Sequence, residues 1–205
     1  MRHVCALCED IIIRPLKAED TELIRKWCND KSLSKYLKPI AEITPEQQQV
    51  WYRKYEEDEN VLFFTIAHTK ENRCIGTVAL YDFEGDSCEL GKIVIGDDTM
   101  HGKGVGYRSA LMAMCIGFTY LGINSYKLHV FLENDIAYNL YLKSGFKEIK
   151  RYNVDMGQEI MTNLEMQISM DEFNRTNEMV NEIYMYLEDD KTKMIHYDNE
   201  RRACK

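Results

Sequence analysis

The sequence predicts a mixed α/β (α+β) fold, and three observations carry the prediction. Short runs rich in β-branched and aromatic residues crowd the first half of the chain, separated by turn residues. Stretches with apolar residues at helical spacing lie before, between and after those runs, so helices are expected to cover both faces of a sheet. A glycine-rich segment, Gly102-Lys103-Gly104-Val105-Gly106, lies between the apolar run Ile93-Val94-Ile95 and a long apolar helical stretch.

Taken in order, Ile11-Ile12-Ile13-Arg14 followed by Pro15 predicts a first strand. From Glu19 to Asn29, Leu23, Ile24 and Trp27 fall at helical spacing. Thr44-Pro45-Glu46 is a helix start, with a Thr N-cap, Pro at the first position and an acid nearby; that helix turns Val50, Trp51 and Tyr55 inward. Strands follow at Val61–His68, Cys74–Asp82 and Ser87–Ile95, with turns at 70–72 and 84–86. The stretch from Gly104 to Leu121 is apolar nearly all round and predicts a deeply packed helix. Ser125–Leu132, Lys147–Asp155 and Ile160–Ser169 supply further strands. Between the first two of these, Asn134, Ala137 and Tyr141 share one helix face, Ile136 and Leu140 lie on a neighbouring face suited to the core, and Gly145 is placed to end the helix in the αL conformation.

Composition fits one domain: 45% apolar and 29% charged residues over 205 positions suffice for a full core and a soluble surface. No apolar run approaches the roughly 20 residues that span a bilayer, and the N-terminus Met1–Asp10 lacks the apolar core of a signal peptide. Seven cysteines, an odd number spread along the chain, read as reduced thiols of a cytoplasmic protein; Cys5 and Cys8 form a lone C-x-x-C with no second pair, so no metal site is expected. A net charge of −8 argues against nucleic acid as a partner and favours a cationic or neutral one.

The glycines carry the first chemistry. A strand, a glycine loop and a helix N-terminus place bare backbone N–H groups and a positive dipole end around one point, which makes a phosphate cradle. The spacing matches neither the G-x-x-x-x-G-K-[ST] nucleotide loop nor the G-x-G-x-x-G dinucleotide fingerprint.

With the downstream phrase Asn134-x-x-Ala137-x-x-x-Tyr141-x-x-x-Gly145-Phe146, the segment His101-Gly102-Lys103-Gly104-Val105-Gly106 resembles the GNAT superfamily of N-acetyltransferases. The family's loop motif begins with Gln or Arg where this chain has His101. The resemblance covers residues 10–170 as an acetyltransferase domain and implies a central mixed, mostly antiparallel sheet of six to seven strands flanked by helices. It leaves 171–205 as a C-terminal helical extension, in which Val180, Ile183, Tyr184 and Leu187 fall at helical spacing before a frayed end; this helix is expected to pack on the domain or a second subunit, giving a possible homodimer.

The resemblance implies direct transfer of an acetyl group from acetyl-CoA to an amine. Ile93, Val94 and Ile95 would pair with the pantetheine arm like another strand, and the backbone of His101, Gly102, Lys103, Gly104, Val105 and Gly106 would hold the pyrophosphate. Asn134 and Ala137 would contact the cofactor, and Tyr141 would protonate the departing thiolate. Lys103 either helps neutralise phosphate or points into solvent. Glu89 is the candidate base, placed by strand alternation on the face of Gly91, Ile93 and Ile95; a rim glutamate without catalytic duty is the alternative. His68 and His129 sit in apolar strand contexts and read as structural. A cysteine nucleophile, Cys88 or Cys115, is a rival mechanism with no Cys–His–Asp spacing to support it.

The phrases around Trp27–Leu37 and Glu89–Gly96 look like the branch holding ribosomal-protein and spermidine N-acetyltransferases and enzymes that acetylate nucleotide-linked amino sugars. The expected acceptor is thus a small-molecule amine or a peptide N-terminus, walled by residues 18–56 and 150–160 with Trp27, Trp51, Tyr52 and Tyr152 as lining. A non-catalytic CoA-binding module acting through a protein partner is the alternative.

Overall fold

The computed structural model describes residues 3–36, 41–157 and 159–198. One ten-stranded sheet runs through it: β1 (Val4–Cys8), β2 (Ile11–Pro15), β3 (Val61–His68), β4 (Arg73–Glu84), β5 (Ser87–Ile95), β6 (Ser125–Phe131), β7 (Lys147–Asp155), β8 (Ile160–Ser169), β9 (Tyr184–Leu187) and β10 (Asp190–His196). The spatial order is β10-β9-β1-β2-β3-β4-β5-β6-β8-β7. Every neighbouring pair is antiparallel except β5 with β6. The sheet is mixed and mostly antiparallel as expected, with more than the six to seven strands expected.

Helices cover both faces. On one, α3 (Val105–Tyr120) and α4 (Asp135–Lys143) bury the main core: Ala110 to Cys115 are fully covered, against Ile13, Ile66, Leu80, Leu90, Tyr126 and Leu128. On the other, α1 (Thr21–Asn29) and α2 (Pro45–Glu57) close a smaller cluster of Leu16, Ile24 and Tyr55 with Trp27, Trp51, Tyr52 and Phe63. Thr44 caps α2 by accepting from the Gln47 N–H while the Gln47 side chain returns to the Thr44 N–H, a capping box ahead of Pro45. Val50, expected inward, is 42% exposed on the outer side of α2.

A buried ion pair fixes α1 to the sheet. Arg14 of β2 donates two hydrogen bonds to Asp20 at 2.7 and 2.8 Å, and Thr65 of β3 donates a third at 2.8 Å. Burial pushes the Asp20 carboxyl up, but the Arg14 and Thr65 hydrogen bonds and the Arg14 charge overcome it and hold the group below its usual value. Asp20→Ala leaves the guanidinium buried and unpaired. It is expected to cost about 3–5 kcal/mol in urea unfolding.

The C-terminal extension departs from expectation. It holds the short helix α5 (Met170–Thr176), a 3₁₀ turn at Glu178–Glu182 and then the β9–β10 hairpin. Ile183, Tyr184 and Leu187 therefore lie in or beside extended chain rather than on a helix. β9 pairs with β1, Cys5 opposite Tyr186 and Ala6 opposite Met185, and Asp189-Asp190-Lys191 runs from the hairpin turn into β10 rather than fraying. The expected disorder at Arg201–Lys205 lies outside the described residues.

Five thiols are buried, and burial pushes Cys5, Cys8 and Cys74 up to about 11 and Cys88 up to about 12, from a usual 9.0. A folded state that holds these protons more tightly than the unfolded chain keeps their full contribution below pH 9 and loses it as pH rises toward 12. The urea midpoint is accordingly expected to fall between pH 9 and 11, measured with reductant present.

Candidate active site

The site begins where two strands part. β5 and β6 pair in parallel only over Ser87–Glu89 with Ser125–Lys127. Beyond that point β5 stays with β4 and β6 with β8, so a wedge opens between Gly91–Ile95 and His129–Phe131. A β-bulge on the β4 side of β5 accompanies the separation. Between the pairs Ala79–Gly91 and Thr77–Val94, β5 has two residues where β4 has one, and Lys92 takes the left-handed conformation at φ 54. Thr77 Oγ1 holds the bulge by donating to the Lys92 carbonyl at 2.8 Å.

The bulge reverses the expected side-chain alternation. Glu89, Gly91 and Val94 register with Tyr81, Ala79 and Thr77 and so share the α1/α2 face, whereas Ile93 and Ile95 pack toward α3 and α4. The expectation that Glu89 shares a face with Ile93 and Ile95 is thus corrected: an extra residue flips the parity of the strand. The two isoleucines and Glu89 stand on opposite sides of the wedge edge.

At the end of β5 the chain turns through a 3₁₀ element, Asp98–Met100, into the glycine loop. Gly102 (φ 72) and Gly104 (φ 71) are both left-handed, and a Cβ on either would meet nothing within 4 Å, so bare backbone faces open space there. Gly104 is also the N-cap residue of α3, whose first-turn N–H groups lack helical partners and point the same way. Gly106 is close-packed instead: its Cβ would lie 3.1 Å from Leu140. Lys103 is exposed.

Two side chains anchor the loop. The His101 ring Nε2 sits 2.7 Å from the Ile95 carbonyl, so it carries the proton and donates, locking the loop to the end of β5 through its side chain. Buried Arg108 of α3 reaches Glu9 and Asp10 in the β1–β2 turn and donates to the Lys103 carbonyl at 3.3 Å. Arg108→Ala is expected to weaken binding of a phosphate-bearing ligand several-fold by freeing Lys103, and to lower stability by about 1–3 kcal/mol; isothermal titration and urea unfolding measure the two.

α4 forms the other wall. Asn134 is its N-cap, its side chain accepting from the Ala137 N–H at 3.2 Å, so it stands at the helix end rather than within the helical face. Ala137 and Tyr141 follow on one face. At the far end the Gly145 N–H bonds the Leu142 carbonyl and the Phe146 N–H bonds the Tyr141 carbonyl, a Schellman ending with Gly145 at φ 94. Leu140 packs on the core, but Ile136, expected there too, is 86% exposed.

Tyr141 is buried, and burial pushes its phenol up to about 12. It lies near enough to Tyr81 of β4 to act on it electrostatically. The Tyr81 hydroxyl hangs over Gly91, 2.7 Å from where a Cβ would stand, and shares a hydrogen bond with Glu89; burial, then the Glu89 charge, pushes Tyr81 well up. Glu89 in turn faces His129 of β6, whose Nδ1 is 3.4 Å from each carboxylate oxygen. The His129 ring meets Tyr152 edge-on, and Asn163 donates to the Tyr152 hydroxyl at 2.6 Å. Tyr81, Glu89 and His129 thus form a chain at the wedge.

Of the expected acceptor lining, Tyr152 reaches this group. Trp51 and Tyr52 are absorbed into the aromatic cluster with Tyr55 and Phe63. Trp27 covers Gly96 at the end of β5 so closely that a Cβ there would collide with the indole. Tyr36 donates to the Glu133 carbonyl at 2.6 Å at the end of β6, so the segment 27–36 bridges the open end of the wedge. Tyr81 carries no sequence signal for the site, and His129 departs from the structural role expected of a histidine in an apolar strand. His129 is 38% exposed, its ring beside Glu89.

Cys88 points away from Glu89 into the core, and Cys115 is fully buried with its thiol pushed well up. Inert thiols of this kind do not serve as nucleophiles. Among the described residues no group of three or more His, Cys, Asp or Glu side chains is arranged to hold a metal ion, and no helix is long and apolar enough to cross a membrane.

The structure thus brings together a splayed parallel strand pair, a glycine cradle at a helix start and a buried phenol on α4, an arrangement fit for a ligand that carries phosphate. The family model for the acetyltransferase (GNAT) domain matches residues 10–147. The chain is 28% identical over 131 residues to the acetyltransferase PseH of Campylobacter jejuni, covering 64% of this chain and 79% of that one. It is 30% identical over 137 residues to the spermidine N(1)-acetyltransferase of Escherichia coli, covering 65% and 71%. A crystal structure of spermidine N-acetyltransferase from Vibrio cholerae in complex with CoA and spermine superposes with a TM-score of 0.74 at 23% identity, covering 80% of this chain and 98% of that one. The chain belongs to the GNAT acetyltransferase family, enzymes that use acetyl-CoA as donor.

Proposed function

We propose that this protein transfers the acetyl group of acetyl-CoA directly to the primary amine of a small, cationic acceptor. The observation that carries the reading is the wedge between β5 and β6, with the glycine cradle at the end of β5 and Glu89 beside His129 where the two strands part. Similarity to amine acetyltransferases and a net charge of −8 support a cationic acceptor over an anionic one.

The residues divide the work as follows. The open backbone edge of Ile93, Val94 and Ile95 receives the pantetheine amides as a further strand would. The N–H groups of Gly102 to Gly106, with the α3 N-terminus, hold the pyrophosphate, with Lys103 and the His101 backbone at its rim. Asn134 and Ala137 line the arm from α4. Bound acetyl-CoA supplies the thioester, and fixing it against the acceptor makes attack effectively unimolecular.

Tyr141 keeps its proton throughout the physiological range and gives it to the departing sulfur. Burial that raises the phenol also raises the basicity of any thiolate released beside it, so donor and acceptor stay matched. Glu89 supplies the negative charge that draws the amine's proton away on the opposite face. The segment 27–36, by bridging the wedge, favours a slender amine over a folded polypeptide. The free thiols described here agree with a cytoplasmic setting.

The test is CoA release on a panel of spermidine, an amino sugar and a peptide with a free N-terminus. Turnover with spermidine at least tenfold faster than with the peptide is expected. Tight acetyl-CoA binding without turnover on any amine would favour the non-catalytic module instead.

A further inference from the structure

We infer that His129 is the atom-level proton acceptor of the reaction, working as a pair with Glu89. The inference deepens the acetyltransfer reading and rests on it. The imidazole stands on β6 at the wedge, on the strand face that also carries Lys127 and Phe131, while its neighbours Leu128 and Val130 are buried in the core. Its Nδ1 is equidistant, at 3.4 Å, from both Glu89 oxygens. Its β8 partner is Glu165, and on the strand beyond, Tyr152 borders the ring. An imidazole between two strands that each bring a carboxylate is placed to accept positive charge.

Glu89 is the less accessible of the pair: its side chain is 20% exposed against 38% for His129, and it already shares a hydrogen bond with Tyr81. A carboxylate engaged by a phenol on one side and an imidazole on the other is held in place and turned toward those two partners. With Nδ1–H donating to Glu89, Nε2 presents its lone pair to the groove. The step balances as a single proton transfer. An N–H bond of the acceptor ammonium breaks, its electron pair stays on that nitrogen, and the proton bonds to His129 Nε2. The imidazolium charge is met by Glu89, and the proton leaves to solvent from the exposed ring. Tyr81 is then a positioning residue that holds the carboxylate.

The test compares His129→Ala and His129→Gln with the unaltered protein, following CoA release with spermidine and the amine panel, and acetyl-CoA binding by thermal shift. The expected result is a loss of 10²-fold or more in kcat for both variants, an unchanged acetyl-CoA shift, and recovery of at least tenfold for His129→Ala in added imidazole. Either variant within threefold of the unaltered protein overturns the role. A His129→Gln variant that works while His129→Ala does not, or a loss that imidazole fails to restore, reduces His129 to a structural or hydrogen-bonding residue and overturns it as well. An unaltered protein that binds acetyl-CoA but releases no CoA with any amine overturns the acetyltransfer reading and this inference together.

Discussion

Tyr141→Phe is expected to lower kcat by about 10²- to 10³-fold while leaving acetyl-CoA affinity within twofold. The change removes one hydroxyl from a side chain that is 6% exposed and packs edge-on against Phe146, with ring centroids 5.8 Å apart. The phenyl ring fills the same space, so neither the fold nor the α4 wall has reason to move. What disappears is the only atom of that residue able to donate a proton to a leaving sulfur. Because the loss falls on the chemical step, kcat and kcat/KM should drop together. A variant that turns over at the unaltered rate would remove Tyr141 from the chemistry and leave it a core tyrosine.

Gly104→Val is expected to reduce acetyl-CoA affinity by 10²-fold or more. Gly104 is left-handed at φ 71 and faces open space, so a valine has room in the free protein but strains the backbone by about 1–2 kcal/mol. Its branched side chain then stands where a pyrophosphate must approach the N–H groups. Gly122, left-handed at φ 68 and also facing open space, lies at the far end of α3. Gly122→Val carries the same kind of strain without the obstruction. Loss of affinity at Gly104 but not Gly122, measured by isothermal titration, isolates the cradle. Equal affinities would place the phosphate elsewhere.

The parts of this fold legible in the sequence were those written in local chemistry. Thr44-Pro45 marked the start of α2, Gly145 the αL ending of α4, and the runs Val61–His68 and Ser87–Ile95 became strands with those same ends. The bulge at Lys92 left no mark, because a positive φ on a lysine is imposed by the wedge rather than chosen by the residue; it moved Glu89 to the opposite face from Ile93 and Ile95. The strand Val4–Cys8 was invisible as an isolated apolar run of five residues, and it exists because β2 and β9 flank it. Val180, Ile183, Tyr184 and Leu187 satisfy a helical spacing, yet Tyr184 and Leu187 are each 42% exposed while Met185 and Tyr186 between them are buried, which a single helical stripe does not explain. His129 was legible in principle. Tyr126, Leu128 and Val130 alternate inward, which puts Lys127 and His129 on the opposite face, but their meeting with Glu89 required knowing that β5 and β6 are neighbours.

Whether the wedge and glycine loop bind acetyl-CoA is decided by a thermal-shift titration. Acetyl-CoA at 100 times its dissociation constant should stabilise the folded state by about 2.7 kcal/mol. For a domain of this size that corresponds to a rise in Tm of roughly 5–10 °C. CoA should act similarly and ATP should not. A Tm that stays flat with acetyl-CoA and CoA up to millimolar concentration would mean that the wedge and glycine loop do not hold the cofactor.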